Sequence, residues 1–168
     1  FVSKLHFRNL DISNLTFTNI SDLTMLREVN LTGNQLSLFP TTVLELNQIK
    51  HLDLSSNQIN DIIPSEIGNL VDIEHLKLQN NEFFGEIPVE IGNLQNLKTL
   101  YMQDNHFSGL VPEDICDLNQ LDWFSIGNNN LCPPYPFCII NDMGIQDTAA
   151  CIFTMSNTME IPNPSKFF

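Results

Sequence analysis

One motif recurs along the chain and constrains the fold more than any other feature. The motif L-x-x-L-x-L-x-x-N-x-L, with related apolar residues at the leucine positions, occurs in five consecutive stretches: Leu26–Leu36, Ile49–Ile59, Ile73–Phe83, Leu97–Phe107 and Leu121–Leu131. Its fourth position advances by 23, 24, 24 and 24 residues from copy to copy. A degenerate copy precedes these, with Val2, Leu5, Phe7 and Ile12 in register but Leu10 where asparagine is expected. A fixed period of this length predicts a solenoid of about six stacked coils.

Each copy contains a short strand and a recurrent asparagine. Alternating apolar residues such as Leu52 and Leu54 predict a strand with one buried face. Because one copy cannot bury its apolar residues alone, stacking should create a continuous core and a concave parallel sheet. An asparagine amide offers donors and an acceptor, so it can satisfy backbone groups of its own and adjacent coils. We expect such a ladder from Asn34, Asn57, Asn81, Asn105 and Asn129.

A second pattern fills the segments between the strands. Three copies contain an aliphatic–proline pair: Ile63-Pro64, Ile87-Pro88 and Val111-Pro112. An isoleucine follows each pair at a fixed distance (Ile67, Ile91 and Ile115), and a leucine follows each isoleucine (Leu70, Leu94 and Leu118). Proline fixes φ and lacks an N–H, so it suits an extended segment entering a short helical turn. The predicted class is therefore an α/β solenoid with a concave parallel sheet and an irregular, short-helical convex side.

The repeat resembles a known family. The string NNEFFGEIPVEIGNLQNLKTLYMQDNHFSG, residues 80–109, resembles the plant-type subclass of leucine-rich repeats. Such repeats occur in plant receptor-kinase ectodomains, in polygalacturonase-inhibiting proteins and in many secreted bacterial proteins. The resemblance covers about residues 1–131 and implies a right-handed superhelix with a second, irregular sheet or short helices behind the concave sheet.

All four cysteines lie in the last third of the chain, at Cys116, Cys132, Cys138 and Cys151. None has the paired spacing of a structural zinc site, and an even number at one end indicates a disulfide-bonded cap in an oxidising compartment. One repeat added to position 116 reaches 140, which favours Cys116–Cys138 and Cys132–Cys151 among three possible pairings. We expect a solenoid over residues 1–131, a cysteine-bearing cap over 132–151 and a tail or linker over 152–168.

The ends of the chain bear on its location. The segments LCPPYPFC and GIQDTAAC resemble the C-terminal caps of secreted bacterial leucine-rich-repeat proteins, in which a linker like IPNPSKFF precedes a type IX sorting domain. An ordinary proline-bearing tail is the alternative. The chain opens at Phe1 inside a repeat, as expected of a mature or trimmed part of a longer protein. The clustered cysteines favour a secreted or cell-surface protein. No membrane insertion is expected, because no stretch of about 18 apolar residues occurs.

Charge is distributed unevenly and points to the concave face. The net charge of −13, with seven Lys and Arg residues in all, argues against nucleic acid as a partner. Six of those seven basic residues lie on the predicted strand segments: Lys4, Arg8, Arg27, Lys50, Lys77 and Lys98. Five acids lie on the same segments: Glu28, Asp53, Glu74, Asp104 and Asp122. The rest of the chain is strongly acidic. This asymmetry favours the concave sheet as the binding surface.

The register selects candidate ligand-binding residues on that face: His51, Asp53, His75, Lys77, Tyr101 and Trp123. Exposed aromatic side chains are unfavourable unless a partner covers them, so we expect a protein or glycan ligand. An alternative is that the face is only solvated, because the row Lys50, Glu74, Lys98, Asp122 alternates in sign and could form a ladder of ion pairs.

No cofactor, metal or enzymatic activity is predicted. His51, His75 and Asp53 could in principle hold a metal, but such a histidine pair is better explained as hydrogen-bonding surface. No nucleophile has a base and an orienting group in reach, and Ser55 and Ser56 are turn residues of the repeat. Three hypotheses follow: an extracellular recognition module, a structural or adhesive surface-layer spacer, and, by analogy of fold, an inhibitor of a secreted hydrolase. The sequence leaves the oligomeric state open.

Overall fold

The computed structural model describes residues 2–13, 23 and 25–151. Its strands are short and follow the repeat: β1 (Lys4–His6), β2 (Glu28–Asn30), β3 (His51–Asp53), β4 (His75–Lys77), β5 (Phe84–Gly85), β6 (Thr99–Tyr101), β7 (His106–Leu110), β8 (Trp123–Ser125) and β9 (Asn130–Cys132). Six of them form one parallel sheet in the order β1-β2-β3-β4-β6-β8, one strand from each coil. The predicted concave parallel sheet is confirmed.

The register of this sheet follows the motif without a slip. Leu52 at the centre of β3 lies beside Leu76 of β4, which lies beside Leu100 of β6. These leucines are buried, and their neighbours on either side along each strand point to the open face. A second parallel sheet of three strands, in the order β5-β7-β9, lies in the segments that follow the main strands.

Short 3₁₀ helices follow the aliphatic–proline pairs, as the sequence predicts. They span Thr41–Glu45, Ser65–Asn69, Val89–Asn93 and Glu113–Asp117. Each is preceded by a proline; Pro88, for example, has φ of −66° and ψ of 138°, so the extended backbone turns into a helix directly after it. The convex side is therefore short-helical.

Glycine allows these helices to pack closely. A Cβ at Gly68 would lie 2.8 Å from Glu90 Cβ, and a Cβ at Gly92 would lie 2.6 Å from Asp114 Cβ. The coil that is one residue short has Leu44 at the equivalent position. A cleft of about 490 Å³ lies beside Leu44, between the helices Thr41–Glu45 and Ser65–Asn69.

The asparagine ladder joins the coils through buried backbone groups. Asn105 is 4% exposed, and its Oδ1 accepts from the Phe83 N–H at 3.0 Å. Its Nδ2 donates to Met102 O in its own coil and to Leu78 O in the preceding coil, both at 3.1 Å. Equivalent bonds are made by Asn57, Asn81 and Asn129. The predicted ladder is confirmed.

The residue before each ladder asparagine adopts a left-handed backbone. The φ angles are +70° at Gly33 and +54° to +59° at Ser56, Asn80, Asp104 and Asn128. Asparagine, aspartate and glycine tolerate this region best. Asn9 has the same conformation in the first coil, with φ of +52°, so that coil keeps the turn although Leu10 replaces the ladder residue.

Two disulfides and one glutamine attach the C-terminal segment to the last coil. The pairs are Cys116–Cys138 and Cys132–Cys151, which confirms the favoured connectivity. Gln146 continues the ladder: Oε1 accepts from the Leu131 N–H at 3.3 Å, and Nε2 donates to Ile126 O at 3.0 Å and Met143 O at 2.6 Å. These are the partners that a sixth ladder residue, following Asn129, would have. The predicted tail, residues 152–168, lies outside the described residues.

Candidate ligand-binding face

The six predicted ligand-binding residues lie on four neighbouring strands of the main sheet. His51 of β3 is beside His75 of β4, and Asp53 is beside Lys77. Lys77 is in turn beside Tyr101 of β6, while Trp123 begins β8 and is beside Thr99. The register therefore brings His51, Asp53, His75 and Lys77 together at the centre of the face, with the two aromatic residues toward its C-terminal end.

The two histidines stack on each other. Their ring centroids are 4.5 Å apart with an interplanar angle of 21°, and His75 Nδ1 lies 2.9 Å from Thr99 Oγ1. Burial lowers the pKa of His75, and His51, Lys77 and Lys98 lower it further, whereas only Glu74 raises it. His75 therefore releases its proton more readily than an ordinary histidine.

The ion-pair ladder considered from the sequence is partly present. Glu74 lies between two ammonium groups, 2.6 Å from Lys50 Nζ and 2.7 Å from Lys98 Nζ. Hydrogen bonds from these two lysines lower the pKa of Glu74 to about 2. Asp122, the next member of the row, makes no ion pair with any described residue. The row is thus a three-residue bridge rather than a continuous ladder.

A second bridge occupies the N-terminal end of the face. Glu28 lies 2.7 Å from Lys4 Nζ and 2.6 Å from His6 Nε2. The hydrogen bond from Lys4 is the largest cause of a lowered pKa at Glu28, and the bond from His6 adds to it. Glu28 is therefore already neutralised by its neighbours.

Asp53 is held by neutral donors rather than by a cation. Its carboxylate accepts from Asn30 Nδ2 at 3.0 Å, from the Ser55 N–H at 3.1 Å and from the Ser55 hydroxyl at 2.5 Å. Asn30 is 6% exposed, so the folded chain does not present the amide of its Asn-x-Thr sequon. Two further sequons, at Asn14 and Asn19, lie outside the described residues.

A cavity of about 270 Å³ opens at the centre of the face. It is lined by Arg8, Glu28, Val29, Asn30, Thr32, His51, Leu52, Asp53, His75 and Lys77. Arg8 and Thr32 were not among the predicted site residues. They occupy the seventh position of the motif, two residues beyond the fifth, and this same-face periodicity is the signal that could have identified them. The hydroxyls of Thr32 and Ser55 lie 2.8 Å apart and continue that row.

The two aromatic candidates differ in exposure. Trp123 is 64% exposed, as expected for a residue awaiting a partner. Tyr101 is only partly exposed, because the Lys77 ammonium lies over its ring, 5.9 Å from the centroid. The Tyr101 ring is therefore less exposed than that of Trp123 and forms a wall beside Lys77.

Within the described ranges, no three His, Cys, Asp or Glu side chains converge in a way that could hold a metal ion. Among the same residues there is no helix with the length and apolar character needed to cross a bilayer.

Comparison with known proteins identifies the repeat. A family model described as "Leucine rich repeat" matches residues 24–83, and a second, "Leucine Rich Repeat", matches residues 96–118. Residues 24–83 and 96–118 are thus identified as leucine-rich repeats, and the stacked coils have the leucine-rich-repeat fold. No curated protein matches it by sequence.

Solved leucine-rich-repeat ectodomains from plants have the same fold. The ectodomain of the Arabidopsis thaliana receptor kinase SOBIR1 is 29% identical with a TM-score of 0.68, over 77% of this chain and 72% of that one. The GASSHO1/SCHENGEN3 ectodomain from the same plant, solved with CASPARIAN STRIP INTEGRITY FACTOR 2, is 27% identical with a TM-score of 0.68, over 76% of this chain and 15% of that one. Arabidopsis HAESA, solved with the peptide hormone IDA and the co-receptor SERK1, is 28% identical with a TM-score of 0.65, over 77% of this chain and 23% of that one. The chain thus spans a small part of the last two.

Proposed function

We propose that this leucine-rich-repeat chain is an extracellular recognition module that binds a polypeptide segment across its concave sheet. The Trp123 side chain, 64% exposed in the last strand of a mostly polar sheet face, carries the proposal. A large exposed aromatic ring at the edge of a polar face is typical of a binding hot spot. Structures of similar ectodomains in complex with peptides support a polypeptide ligand over a glycan.

The ligand would lie across the strands and contact the six predicted residues. Tyr101 and Trp123 supply apolar area at one end, and His51, Asp53, His75 and Lys77 supply polar contacts at the other. Adjacent parallel strands are about 4.8 Å apart. The four strands β3, β4, β6 and β8 therefore offer a track of about 14 Å, which an extended segment of four or five residues can follow. Binding without catalysis is the proposed activity.

The two disulfides support an extracellular location, because such bonds persist in oxidising compartments. Secretion of the intact protein is testable directly. Expression with its native flanking sequence should place the protein in the medium or on the cell surface.

Selection from a displayed peptide library tests the proposed binding. The oxidised chain should enrich a peptide family, and the double variant Tyr101→Ala/Trp123→Ala should lose at least tenfold in affinity for it. The matched control is Phe84→Ala/Phe137→Ala, which removes two exposed rings that lie off the main sheet and should leave the affinity unchanged. Equal binding by the wild type and the first variant, with both folded by circular dichroism, would remove the proposal.

A spacer role is the second candidate, favoured by the ion-paired row Lys50–Glu74–Lys98. If the face serves only as solvated surface, no peptide should be enriched and the chain should self-associate. A monomer by light scattering at high concentration, together with an enriched peptide, would exclude this role.

A further inference from the structure

On the concave face, the carboxylates around the cavity have hydrogen-bonding or ionic partners, whereas two of the cations have no ion-pair partner among the described residues. Each carboxylate around the cavity already has its partners: Glu28 is bonded to Lys4 and His6, Glu74 to Lys50 and Lys98, and Asp53 to Asn30 and Ser55. Neither Lys77 nor Arg8 makes an ion pair with any described residue. The cavity therefore has cationic groups that lack a counter-ion.

The same imbalance surrounds the stacked imidazoles. Two sets of charged residues, apart from histidine, occupy the open-face positions (second, third, fifth and seventh of the motif) in the first five coils: the cations Lys4, Arg8, Arg27, Lys50, Lys77 and Lys98, and the carboxylates Glu28, Asp53 and Glu74. Cations prevail, and Lys77 and Lys98 add to the lowering of the His75 pKa, of which burial is the largest cause. A proton added to His75 is opposed by His51, whose ring lies 4.5 Å away, and by Lys77. An anion bound in the cavity would offset that repulsion.

We propose that the cavity is a proton-coupled carboxylate site. A carboxylate of the polypeptide ligand binds at Lys77 beside the stacked His51–His75 pair, and the pair takes up about one proton as the carboxylate arrives. This deepens the proposed function, because it assigns an acidic group to the ligand and a place for that group.

The chemistry of the lining fits a carboxylate. An ammonium and an imidazolium N–H both form short charge-assisted hydrogen bonds to carboxylate oxygens. Because His75 Nδ1 is occupied by the Thr99 hydroxyl, its Nε2 is the nitrogen left for the cavity. Arg8 belongs to the first coil and β4 to the fourth, three strand spacings or about 14 Å apart, so Arg8 contributes positive potential rather than a shared contact.

Proton uptake fixes the sign of the pH dependence. A ligand that favours the protonated imidazole binds more tightly as the pH falls through the titration range of histidine. Uptake of one proton changes the affinity by up to tenfold per pH unit, so we expect roughly a tenfold gain between pH 7.5 and pH 5.5.

Fixed peptide probes test the site without knowledge of the natural ligand. The probes are acetylated hexaglutamate amide, acetylated hexaglutamine amide, and acetylated hexaglutamine with a free C-terminal carboxylate. The readout is the imidazole NMR spectrum of the chain, whose four histidines include His106 on the second sheet as an internal control. Hexaglutamate should shift the His51 and His75 signals and raise the titration midpoint of His75, and should leave His106 unchanged. A comparable shift from the free-carboxylate hexaglutamine would identify a chain terminus as the preferred source.

Matched variants separate a local site from diffuse attraction. Lys77→Gln should weaken hexaglutamate binding at least fivefold. Lys50→Gln removes the same charge from an ammonium held by Glu74, and should weaken it less than twofold. The double variant His51→Gln/His75→Gln should bind with an affinity that no longer depends on pH between 7.5 and 5.5.

Three results would overturn the carboxylate site. They are an unperturbed His51–His75 pair, an equal response to the neutral amide peptide, and equal losses from Lys77→Gln and Lys50→Gln. The outcome is separable from that of the library selection, because a neutral peptide that binds through Tyr101 and Trp123 would uphold the recognition module and refute only the carboxylate site.

Discussion

Replacing Asn105 by alanine should destabilise the chain more than replacing any exposed asparagine. The substitution removes four hydrogen bonds: one from the Phe83 N–H and three to the carbonyls of Leu78, Met102 and Gln103. The Phe83 N–H is left buried without a partner, whereas Leu78 O and Met102 O each keep one bond, from the ladder residues Asn81 and Asn129. An unsatisfied buried group costs about 1–3 kcal/mol and a lost hydrogen bond about 0.5–1.5 kcal/mol. Taking about 2 kcal/mol for the Phe83 N–H and about 0.5 kcal/mol for each of the lost bonds to Leu78 O and Met102 O gives a loss of about 3 kcal/mol. Asn105→Asp should cost at least as much, because a carboxylate oxygen would face the two carbonyls.

Urea unfolding of the oxidised chain, followed by far-ultraviolet circular dichroism, measures this loss. The matched control is Asn96→Ala, because Asn96 is exposed and its amide makes a single bond, to Val71 O at 2.9 Å. That bond is open to water, so the control should lose less than about 1 kcal/mol. If Asn105→Ala unfolds at the same urea concentration as Asn96→Ala, the reasoning that the ladder joins the coils is wrong.

Three further predictions concern the cap, the convex side and pH. Gln146→Ala should lower the free energy of unfolding by about 2 kcal/mol, because it leaves the Leu131 N–H and Met143 O without their bonds to Gln146, while Ile126 O keeps the bond from Asn129. Urea unfolding with exposed Gln120→Ala as control checks this. Gly92→Ala should cost about 1–3 kcal/mol by overpacking, since its Cβ would lie 2.6 Å from Asp114 Cβ, and a melting temperature equal to the wild type's would contradict it. The lowered pKa of Glu74 adds stability that is complete above its ordinary value of 4.5 and is lost as the pH falls toward 2. Glu74→Gln should therefore reduce the loss of unfolding free energy between pH 4.5 and pH 2. The reduction should be less than about 1 kcal/mol, because the ion pairs are accessible to solvent. A pH profile of stability equal to that of the wild type would refute this.

The sequence predicted the sheet and its neighbours because the repeat fixes the register. Once Leu52 and Leu76 occupy the same position in successive coils, His51 must lie beside His75 and Asp53 beside Lys77. The ladder asparagines followed for the same reason, since one buried amide can serve two coils only at a constant period. The favoured disulfide Cys116–Cys138 also follows from one repeat length.

Interactions that depend on side-chain geometry were not predictable. Gln146 follows Asn129 by 17 residues rather than 24, so its role as a ladder residue is hidden by the shortened turn. The partial cover of Tyr101 by Lys77 depends on how a long side chain lies across its neighbour. The attraction of Asp53 to Asn30 and Ser55, rather than to the adjacent Lys77, depends on which donors are closest.

Some sequence-based expectations stay predictions. The resemblance of the cap to secreted bacterial proteins and of IPNPSKFF to a type IX sorting linker concerns residues that lie partly outside the described ranges. The inhibitor hypothesis rests on analogy of fold, and an inhibition assay against secreted hydrolases would test it.

Hydroxyl-radical footprinting of the chain with its library-selected peptide bound tests the central claim most directly. This method modifies exposed aromatic and histidine side chains, and the chain presents such residues on both sides. We predict that the peptide protects Trp123, Tyr101, His51 and His75 and leaves Phe137, which is 83% exposed, and His106 as reactive as in the free chain. Protection of Phe137 or His106, with Trp123 still fully reactive, would contradict binding on the concave sheet.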